Sequence, residues 1–98
     1  ESYRSRLTGV VQDAGDLDSS FEQLLDRPLD ELDPVERALL RLGTFELKER
    51  IDVPYRVVIN ESVALAKKFG ATDSYRYING VLDKVARSYR QIEIDAEA

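Results

Sequence analysis

The sequence predicts an all-α protein, built as an antiparallel helical bundle. Apolar residues return at spacings of three and four along most of the chain, which is the period of a helix that buries one face. Two prolines, Pro34 and Pro54, stand at the start of such stretches, where a helix needs no backbone N–H donor. The 98 residues are 43% apolar and 34% charged, which fits a single domain of exposed helices around a modest core.

The first predicted element is one long helix over residues 2 to 26. Seven apolar residues repeat there in a heptad phase: Tyr3, Leu7, Val10, Ala14, Leu17, Phe21 and Leu24. The phase runs unbroken through Gly15, which favours one helix over two short helices joined at 13–16 and makes Gly15 a candidate kink. Such a stripe also fits a coiled coil, but three repeats fit an intramolecular bundle equally well, and we favour the bundle.

A short connector is predicted to follow, from Pro28 to Leu32. Arg27 ends the first helix because the residue before a proline avoids the α conformation. The connector has room for about one helical turn, and we expect its two leucines, Leu29 and Leu32, to close the end of the core.

The second helix is predicted from Asp33 to about Arg50. Asp33 is the expected N-cap, Pro34 occupies the first helical position, and Glu36 can reach back to complete a capping box. Apolar side chains cover more than one face of this helix, so we expect it to be the central one. Gly43 in its middle is expected to let another helix approach closely.

Two further helices are predicted, from Pro54 to Phe69 and from about Asp73 to Tyr89. Gly70 supplies a helix-ending residue that can take positive φ, and Thr72 or Asp73 can cap the next helix. The polar pair Asn60 and Glu61 in the first of these helices is interpreted as structural, because no nucleophile, histidine or placed second carboxylate joins it. Residues 91–98 are acidic with little to pack, and we expect this tail to fray or be disordered.

One face of the last helix is unusual. Its members are spaced by three and four and comprise one aromatic, one glycine, one acid and two cations, with Arg76 alongside: Asp73, Tyr77, Gly80, Lys84 and Arg87. An aromatic ring next to cations, beside a residue without a side chain, can stack a nucleobase. The alternative is that Tyr77 only lies at the edge of the core with its hydroxyl in water, and the spacing alone favours this alternative.

A second basic face lies on the central helix and contains Arg37, Arg41, Thr44 and Lys48. The two arginines can pair with phosphates, or they can keep the helix soluble through neighbours such as Asp33 and Glu36. From the residues alone, the solvated face is the more typical explanation.

The composition excludes several kinds of chemistry. Cysteine and histidine are absent, which removes disulfides, thiolate nucleophiles, the commonest general base and the commonest metal ligand. Acid pairs such as Asp16 and Asp18 lie in an acid-rich stretch with nothing to split their pKa values. We therefore predict a binding module with no cofactor and no metal, rather than an enzyme. No apolar run could span a membrane and no signal peptide is visible, which favours the cytoplasm.

The net charge of −5 is unevenly distributed. Residues 13–36 hold nine acidic residues and one arginine, whereas residues 37–90 are net positive and residues 91–98 add three acids. Two surfaces of opposite sign could serve a phosphate-bearing ligand and a basic protein. Ordinary solvated faces explain the same pattern equally well.

Three linked motifs, covering about 60 residues, resemble the NusB family of bacterial transcription antitermination factors. The closing motif runs from Phe69 to Lys84 and reads FGATDSYRYINGVLDK. The upstream segments, DPVERALLRLGTFELKER and DVPYRVVINESVALAKKFG, resemble the middle helices of the family in the same order. Residues 1–27 resemble it more loosely.

The resemblance implies a fold of two helical bundles, of which this chain would carry the C-terminal bundle and part of the N-terminal one. Residues 1–90 would be a NusB-like domain without its N-terminal helices, and residues 91–98 the acidic disordered tail. An arginine-rich first helix of the family has no counterpart here. Its absence predicts weaker electrostatic RNA binding and an uncovered apolar face, hence self-association as a homodimer, marginal stability or a second chain in the gap.

The resemblance also implies partners. Family members bind the boxA element of ribosomal RNA leader transcripts with a small-subunit ribosomal protein, called NusE in this role, and act on RNA polymerase in the elongation complex. Tyr77 takes the place of the aromatic residue that touches RNA bases and Arg41 that of a basic contact, with Asp73 and Arg76 on the same rim. Glu36 matches a position that faces the ribosomal protein. Together with Arg37 and Lys84, these residues form the predicted site.

Two alternatives remain open at this point. A NusB-like domain also precedes the catalytic part of certain ribosomal RNA cytosine methyltransferases, but here an acidic tail follows the helix, and Leu82-Asp83-Lys84 stands where those enzymes tend to carry an arginine. The other alternative is a helical adaptor that binds protein only.

Overall fold

The computed structural model describes residues 21–25, 27–70 and 73–97, and in these ranges it contains α-helices, one 3₁₀ helix and no strand. Four α-helices are resolved: α1 (Pro34–Glu49), α2 (Tyr55–Phe69), α3 (Ser74–Tyr89) and α4 (Gln91–Glu97); the 3₁₀ helix spans Leu29–Glu31. The prediction of an all-α fold is confirmed. The long first helix lies outside the described residues except for its end, where Phe21 and Glu22 are helical and a turn follows.

The start of α1 is fixed by the predicted capping box. The Glu36 N–H donates to Asp33 Oδ1 at 2.8 Å, and the Asp33 N–H donates to Glu36 Oε1 at 3.3 Å. Pro34 follows the cap at the first helical position. Two of the backbone donors that every helix start leaves free are satisfied in this way.

The core lies where α1, α2 and α3 pack against one another in all three pairs. Each helix contributes a stripe of aliphatic side chains, and the end of the core is closed by Phe21 and by Leu32 of the connector. The buried cluster comprises Phe21, Leu32, Leu39, Leu40, Leu47, Val58, Ile59, Ala66, Ile78, Val81, Leu82, Val85 and Ala86. The expectation for the connector is confirmed, since Leu32 is buried and Leu29 packs on the cluster.

Gly43 lies where α2 and α3 both come close to α1. A Cβ atom on Gly43 would lie 2.8 Å from Leu82 Cδ1 of α3 and 3.2 Å from Ser62 Oγ of α2. Both distances are shorter than ordinary van der Waals contact, so a larger residue would force these side chains to move. The predicted role of Gly43 is confirmed.

The turn between α2 and α3 differs from the prediction. Gly70 ends α2 with φ −88°, whereas Asp73 has a positive φ of 66°. Asp73 makes no side-chain cap. Aspartate can take this left-handed conformation because it tolerates it better than most residues do. Thr72 lies outside the described residues. Phe69, the last residue of α2, is 61% exposed.

The acidic tail also differs from the expectation of disorder, because Gln91–Glu97 form helix α4. The periodicity of the sequence does not indicate what holds this helix in place. The residue at the junction of α3 and α4 is Arg90, which is buried. Its guanidinium donates to the carbonyls of Leu47 and Glu46 at 2.8 and 3.2 Å, to those of Val53 and Arg50 at 2.8 Å, and to Glu93 Oε1 at 2.8 Å. These are all five N–H donors that an arginine has.

Two carboxylates of α4 then tie it to the start of α2. Glu93 Oε2 accepts the backbone N–H of Tyr55 at 2.9 Å, which supplies the cap that Pro54 cannot make. Glu97 accepts the Tyr55 hydroxyl at 2.8 Å and Arg56 Nε at 3.1 Å. The acids of the tail therefore have partners that hold the helix on the domain.

Candidate nucleic-acid interface

Tyr77 lies on the flank of α3, between the core and the solvent. Its side chain is half-buried and packs against the buried cluster. The guanidinium carbon of Arg27, from the segment before α1, lies 4.2 Å from the centroid of the ring. An arginine at this distance makes a cation–π contact, so the ring face already holds a flat, positively charged group.

A hollow of about 190 Å³ opens beside this ring. Successive turns of α3 line it with one aromatic, one glycine, two cations and one aliphatic side chain, and Leu24 joins them from the segment before α1. The α3 residues are Arg76, Tyr77, Gly80, Val81 and Lys84. We call this space the Tyr77 hollow. Three of the predicted RNA-binding residues, Arg76, Tyr77 and Lys84, are brought together in it.

Tyr77 also borders a second hollow, of about 380 Å³, whose lining is mainly acidic. It is lined by Arg27, Glu31, Asp33, Glu36, Asp73, Ser74 and Tyr77. We call it the acidic hollow. Two more predicted residues, Asp73 and Glu36, therefore line a second space beside the same aromatic ring.

Glu36 is less available than the sequence indicated. Its residue surface is only 6% exposed, and its carboxylate is engaged in the capping box with Asp33. Asp73, in contrast, is exposed, with its side chain 70% accessible. On the acidic hollow, Asp73 and Glu31 present their carboxylates to solvent more freely than Glu36 does.

Arg76 is held between a phenol and a carboxylate. Its Nε donates to the Tyr75 hydroxyl at 3.2 Å and lies 3.9 Å from Asp73 Oδ1. The hydrogen bond from Arg76 to the Tyr75 hydroxyl raises the pKa of the guanidinium above its ordinary value. Arg76 is therefore a permanent cation whose charge is partly offset by Asp73.

Arg37 and Arg41 line a different hollow, of about 430 Å³, together with Asp30, Leu32, Pro34 and Ala38. Arg37 Nη2 donates to the Leu29 carbonyl at 2.9 Å, so this arginine holds the connector against α1. Thr44, predicted on the same basic face, is fully buried. The basic face of α1 is thus interrupted, and its arginines do not line either hollow that borders Tyr77.

The sequence pattern gives no sign of the contact between Arg27 and Tyr77. It places Gly80 on the same face of α3 as Tyr77 but gives it no role of its own. Arg27 stands in the acid-rich stretch and is far from Tyr77 along the chain, so no periodicity could have paired them.

A further polar hollow, of about 310 Å³, lies between α2 and α3. It is lined by Tyr55, Arg56, Ile59, Asn60, Asn79 and Asp83. Asn79 lies two residues from Tyr77, which is about 200° around the helix axis, so this hollow faces another direction.

Within the described ranges, His, Cys, Asp and Glu side chains form no group that could hold a metal ion. A search of the same residues also found no helix with the length and apolar content needed to cross a bilayer.

Comparison with known proteins gives one family. A family profile described as NusB family matches residues 1–87. The transcription antitermination protein NusB of Marinomonas sp. (strain MWYL1) is 60% identical over 94 residues, which are 96% of this chain and 54% of that protein. The protein of the same name from Alkalilimnicola ehrlichii is 60% identical over 97 residues, which are 97% of this chain and again 54% of that protein.

The fold agrees with a solved structure. T. maritima NusB superimposes with a TM-score of 0.86 at 30% sequence identity, over 94% of this chain and 66% of that one. The chain spans about half the length of the curated relatives it matches.

Proposed function

Since the chain belongs to the NusB family, we propose that it acts in transcription antitermination, by binding boxA-type leader RNA together with a small-subunit ribosomal protein. The observation that carries the proposal is the Tyr77 hollow, where an aromatic ring, a glycine and two cations border one space on α3. In bacteria transcription takes place in the cytoplasm, so this role would place the protein there.

The hollow suits single-stranded RNA better than a duplex. Unpaired bases stack on aromatic and guanidinium planes, whereas the bases of a duplex are stacked on one another and cannot reach a half-buried ring. The Tyr77 ring offers such a plane, and the Arg27 guanidinium that lies over the ring offers a second one. Arg76 and Lys84 flank them and can meet the phosphates on either side of a stacked base.

The acidic hollow suits a protein rather than RNA. Its exposed carboxylates, Glu31 and Asp73, repel phosphates and attract a basic surface. Ribosomal proteins are usually basic, so we propose that the ribosomal protein partner docks beside Tyr77 on this side, with Glu36 at its edge. RNA and protein would then share a border along the Tyr77 ring, and each would strengthen the binding of the other.

We propose a binding function rather than catalysis. Ribosomal RNA methyltransferases with a NusB-like domain remain an alternative setting for the same interface. The relatives matched over nearly the whole of this chain carry the name transcription antitermination protein, which favours antitermination over a methyltransferase.

The experiment is a fluorescence anisotropy titration of a labelled boxA-type RNA with the full chain, with and without the ribosomal protein. Wild type, Tyr77→Ala and Tyr77→Phe are compared. Stacking of a base on an aromatic side chain contributes about 1–3 kcal/mol, so Tyr77→Ala should weaken RNA binding about tenfold or more, whereas Tyr77→Phe should retain it.

The partner should strengthen binding of the wild type. Equal affinities for wild type and Tyr77→Ala would make Tyr77 a core residue only. Binding of the ribosomal protein without any binding of RNA would support the protein-only adaptor instead.

A further inference from the structure

Gly80 occupies a position where folding does not require a glycine. It lies in the middle of α3 with ordinary helical geometry, since no glycine in the described residues has a positive φ. Glycine is one of the least favourable residues inside a helix, because it loses the most backbone freedom when the helix forms. Its presence there needs another reason.

The other described glycines show what a packing reason looks like. A Cβ on Gly43 would collide with Leu82 and Ser62, and a Cβ on Gly70 would collide with the Ser74 hydroxyl and the Ala66 carbonyl. Any side chain at either position would displace a neighbour. Gly43 and Gly70 are therefore explained by close approach within the fold.

Among the described residues, Gly80 has no such neighbour. A Cβ built on it meets no described atom within 4 Å and points into space that those residues leave open. That space is the Tyr77 hollow, which Gly80 lines. On a helix, residues three and four apart are surface neighbours, so the missing side chain leaves a gap between the side chains of Tyr77 and Lys84.

We propose that Gly80 is the floor of a subsite for one unpaired nucleobase, kept free of a side chain so that the base can lie over the helix against the Tyr77 ring. This inference rests on the RNA binding proposed above and adds its specificity-determining residue. The hollow of about 190 Å³ is smaller than pockets for drug-sized ligands, which begin near about 300 Å³. It therefore suits one base, with Arg76 and Lys84 on the adjoining phosphates.

If Gly80 is the floor of a binding subsite, substitutions there should make the fold more stable and RNA binding weaker. Gly80→Ala and Gly80→Leu should both raise the melting temperature of the full chain, by roughly 2–8 °C, because each is a better helix former in open space. The same substitutions should weaken binding of a labelled single-stranded boxA-type RNA, a few-fold for Ala and about tenfold or more for Leu.

Asn79→Ala is the matched control. It improves helix propensity in the same turn of α3, but Asn79 lines the polar hollow between α2 and α3 instead. It should raise the melting temperature without changing the affinity for RNA.

A second titration identifies the base that is held. RNAs carrying a single abasic nucleotide, moved one position at a time, should show one position where loss of the base weakens wild-type binding about tenfold. At that position Gly80→Leu should bind the abasic RNA as well as the intact one, because the subsite is already filled.

The outcomes are distinct. The subsite is overturned if Gly80→Leu binds RNA as tightly as wild type, or if it loses the same factor as wild type with every abasic RNA. Either result leaves the proposed function standing. Failure of the wild type itself to bind any RNA overturns the proposed function, and the subsite with it.

Discussion

At the scale of single residues, Tyr77 contacts both the core and a cation. Its side chain packs on the core, as a core-edge tyrosine should, and its ring face still holds the Arg27 guanidinium. A ring that the core and one cation hold in place is preorganised to meet a base in the Tyr77 hollow, because little side-chain freedom is lost when the base arrives. Spacing alone could place Tyr77 at the edge of the core, but it could not show which group lies on its face.

Asp73 is the residue on this rim that should oppose RNA. Its carboxylate lies 3.9 Å from Arg76 Nε and offsets part of the cation that phosphates would meet. We predict that Asp73→Asn raises RNA affinity several-fold, since it removes one repulsive charge beside the phosphates. Asparagine tolerates the left-handed φ of 66° at this position at least as well as aspartate.

The measurement is the same anisotropy titration, with Asp83→Asn as the control because Asp83 lines the polar hollow between α2 and α3. A drop in affinity for Asp73→Asn would show that Asp73 contributes to binding and would contradict its assigned role.

At the scale of elements, the sequence predicted α1, α2 and α3 well because their signals are local. An apolar stripe shows which face each of these helices buries, and the capping box with Pro34 fixes where α1 begins. Helix α4 could not be predicted in this way, since its stability depends on hydrogen bonds from Arg90 to carbonyls more than 35 residues away in sequence. The candidate site follows the same rule: helical spacing places its α3 residues beside one another, whereas no local signal pairs Arg27 with Tyr77.

Arg90 should be the most sensitive side chain at the end of the bundle. Its guanidinium satisfies carbonyls at the C-terminus of α1 and in the following turn, and lysine can replace neither its five donors nor their planar arrangement. We predict that Arg90→Lys lowers the free energy of unfolding by about 3 kcal/mol, because buried acceptors lose their partners. Urea unfolding of the full chain measures it.

Arg87→Lys is the control for this substitution, since Arg87 is exposed on the same helix and should change stability by less than about 0.5 kcal/mol. Equal effects of the two substitutions would show that the Arg90 contacts do not hold the α3–α4 junction.

The contact between α4 and α2 should depend on pH. The hydrogen bond from the Tyr55 hydroxyl, with a smaller contribution from Arg56, lowers the pKa of Glu97 below its ordinary value. A carboxylate with a lowered pKa stabilises the folded state above its ordinary pKa, and that contribution is lost as the pH falls through the lowered value. We predict that Tyr55→Phe moves the pKa of Glu97 back up.

Carbon-detected NMR titration of the Glu97 carboxyl measures this shift, with Tyr89→Phe as a control that removes a hydroxyl elsewhere. An unchanged Glu97 pKa in Tyr55→Phe would mean that α4 does not dock on α2 through this pair.

At the scale of the whole molecule, charge and shape divide the surface near Tyr77 into two halves. Glu31 and Asp33, which precede α1, line one hollow beside Tyr77, and the basic residues of α3 line the other. The uneven charge distribution seen in the sequence thus has a spatial counterpart. The basic face of α1 does not belong to this charged surface near Tyr77, because Thr44 is buried and Arg37 donates a hydrogen bond to the Leu29 carbonyl of the connector.

Salt dependence should separate the two components of RNA binding. For single strands, the logarithm of affinity falls with the logarithm of salt concentration by about 0.7 per phosphate contact. Lys84→Ala should reduce that slope by about 0.7, whereas Tyr77→Ala should lower affinity at every salt concentration with an unchanged slope. Lys48→Ala, at the far end of α1, is the control, and a loss of slope equal to that of Lys84→Ala would indicate diffuse electrostatic binding instead.

RNA binding on the Tyr77 face of α3 is tested most directly by an NMR titration of the isotope-labelled full chain with boxA-type RNA, followed through the backbone amides. We expect the largest shifts at Arg76, Tyr77, Gly80 and Lys84, with little change at Asn60 and Asn79 on the polar hollow between α2 and α3. Shifts centred on Asn60 and Asn79, or spread evenly over the basic residues, would contradict the claim that RNA is bound on the Tyr77 face of α3.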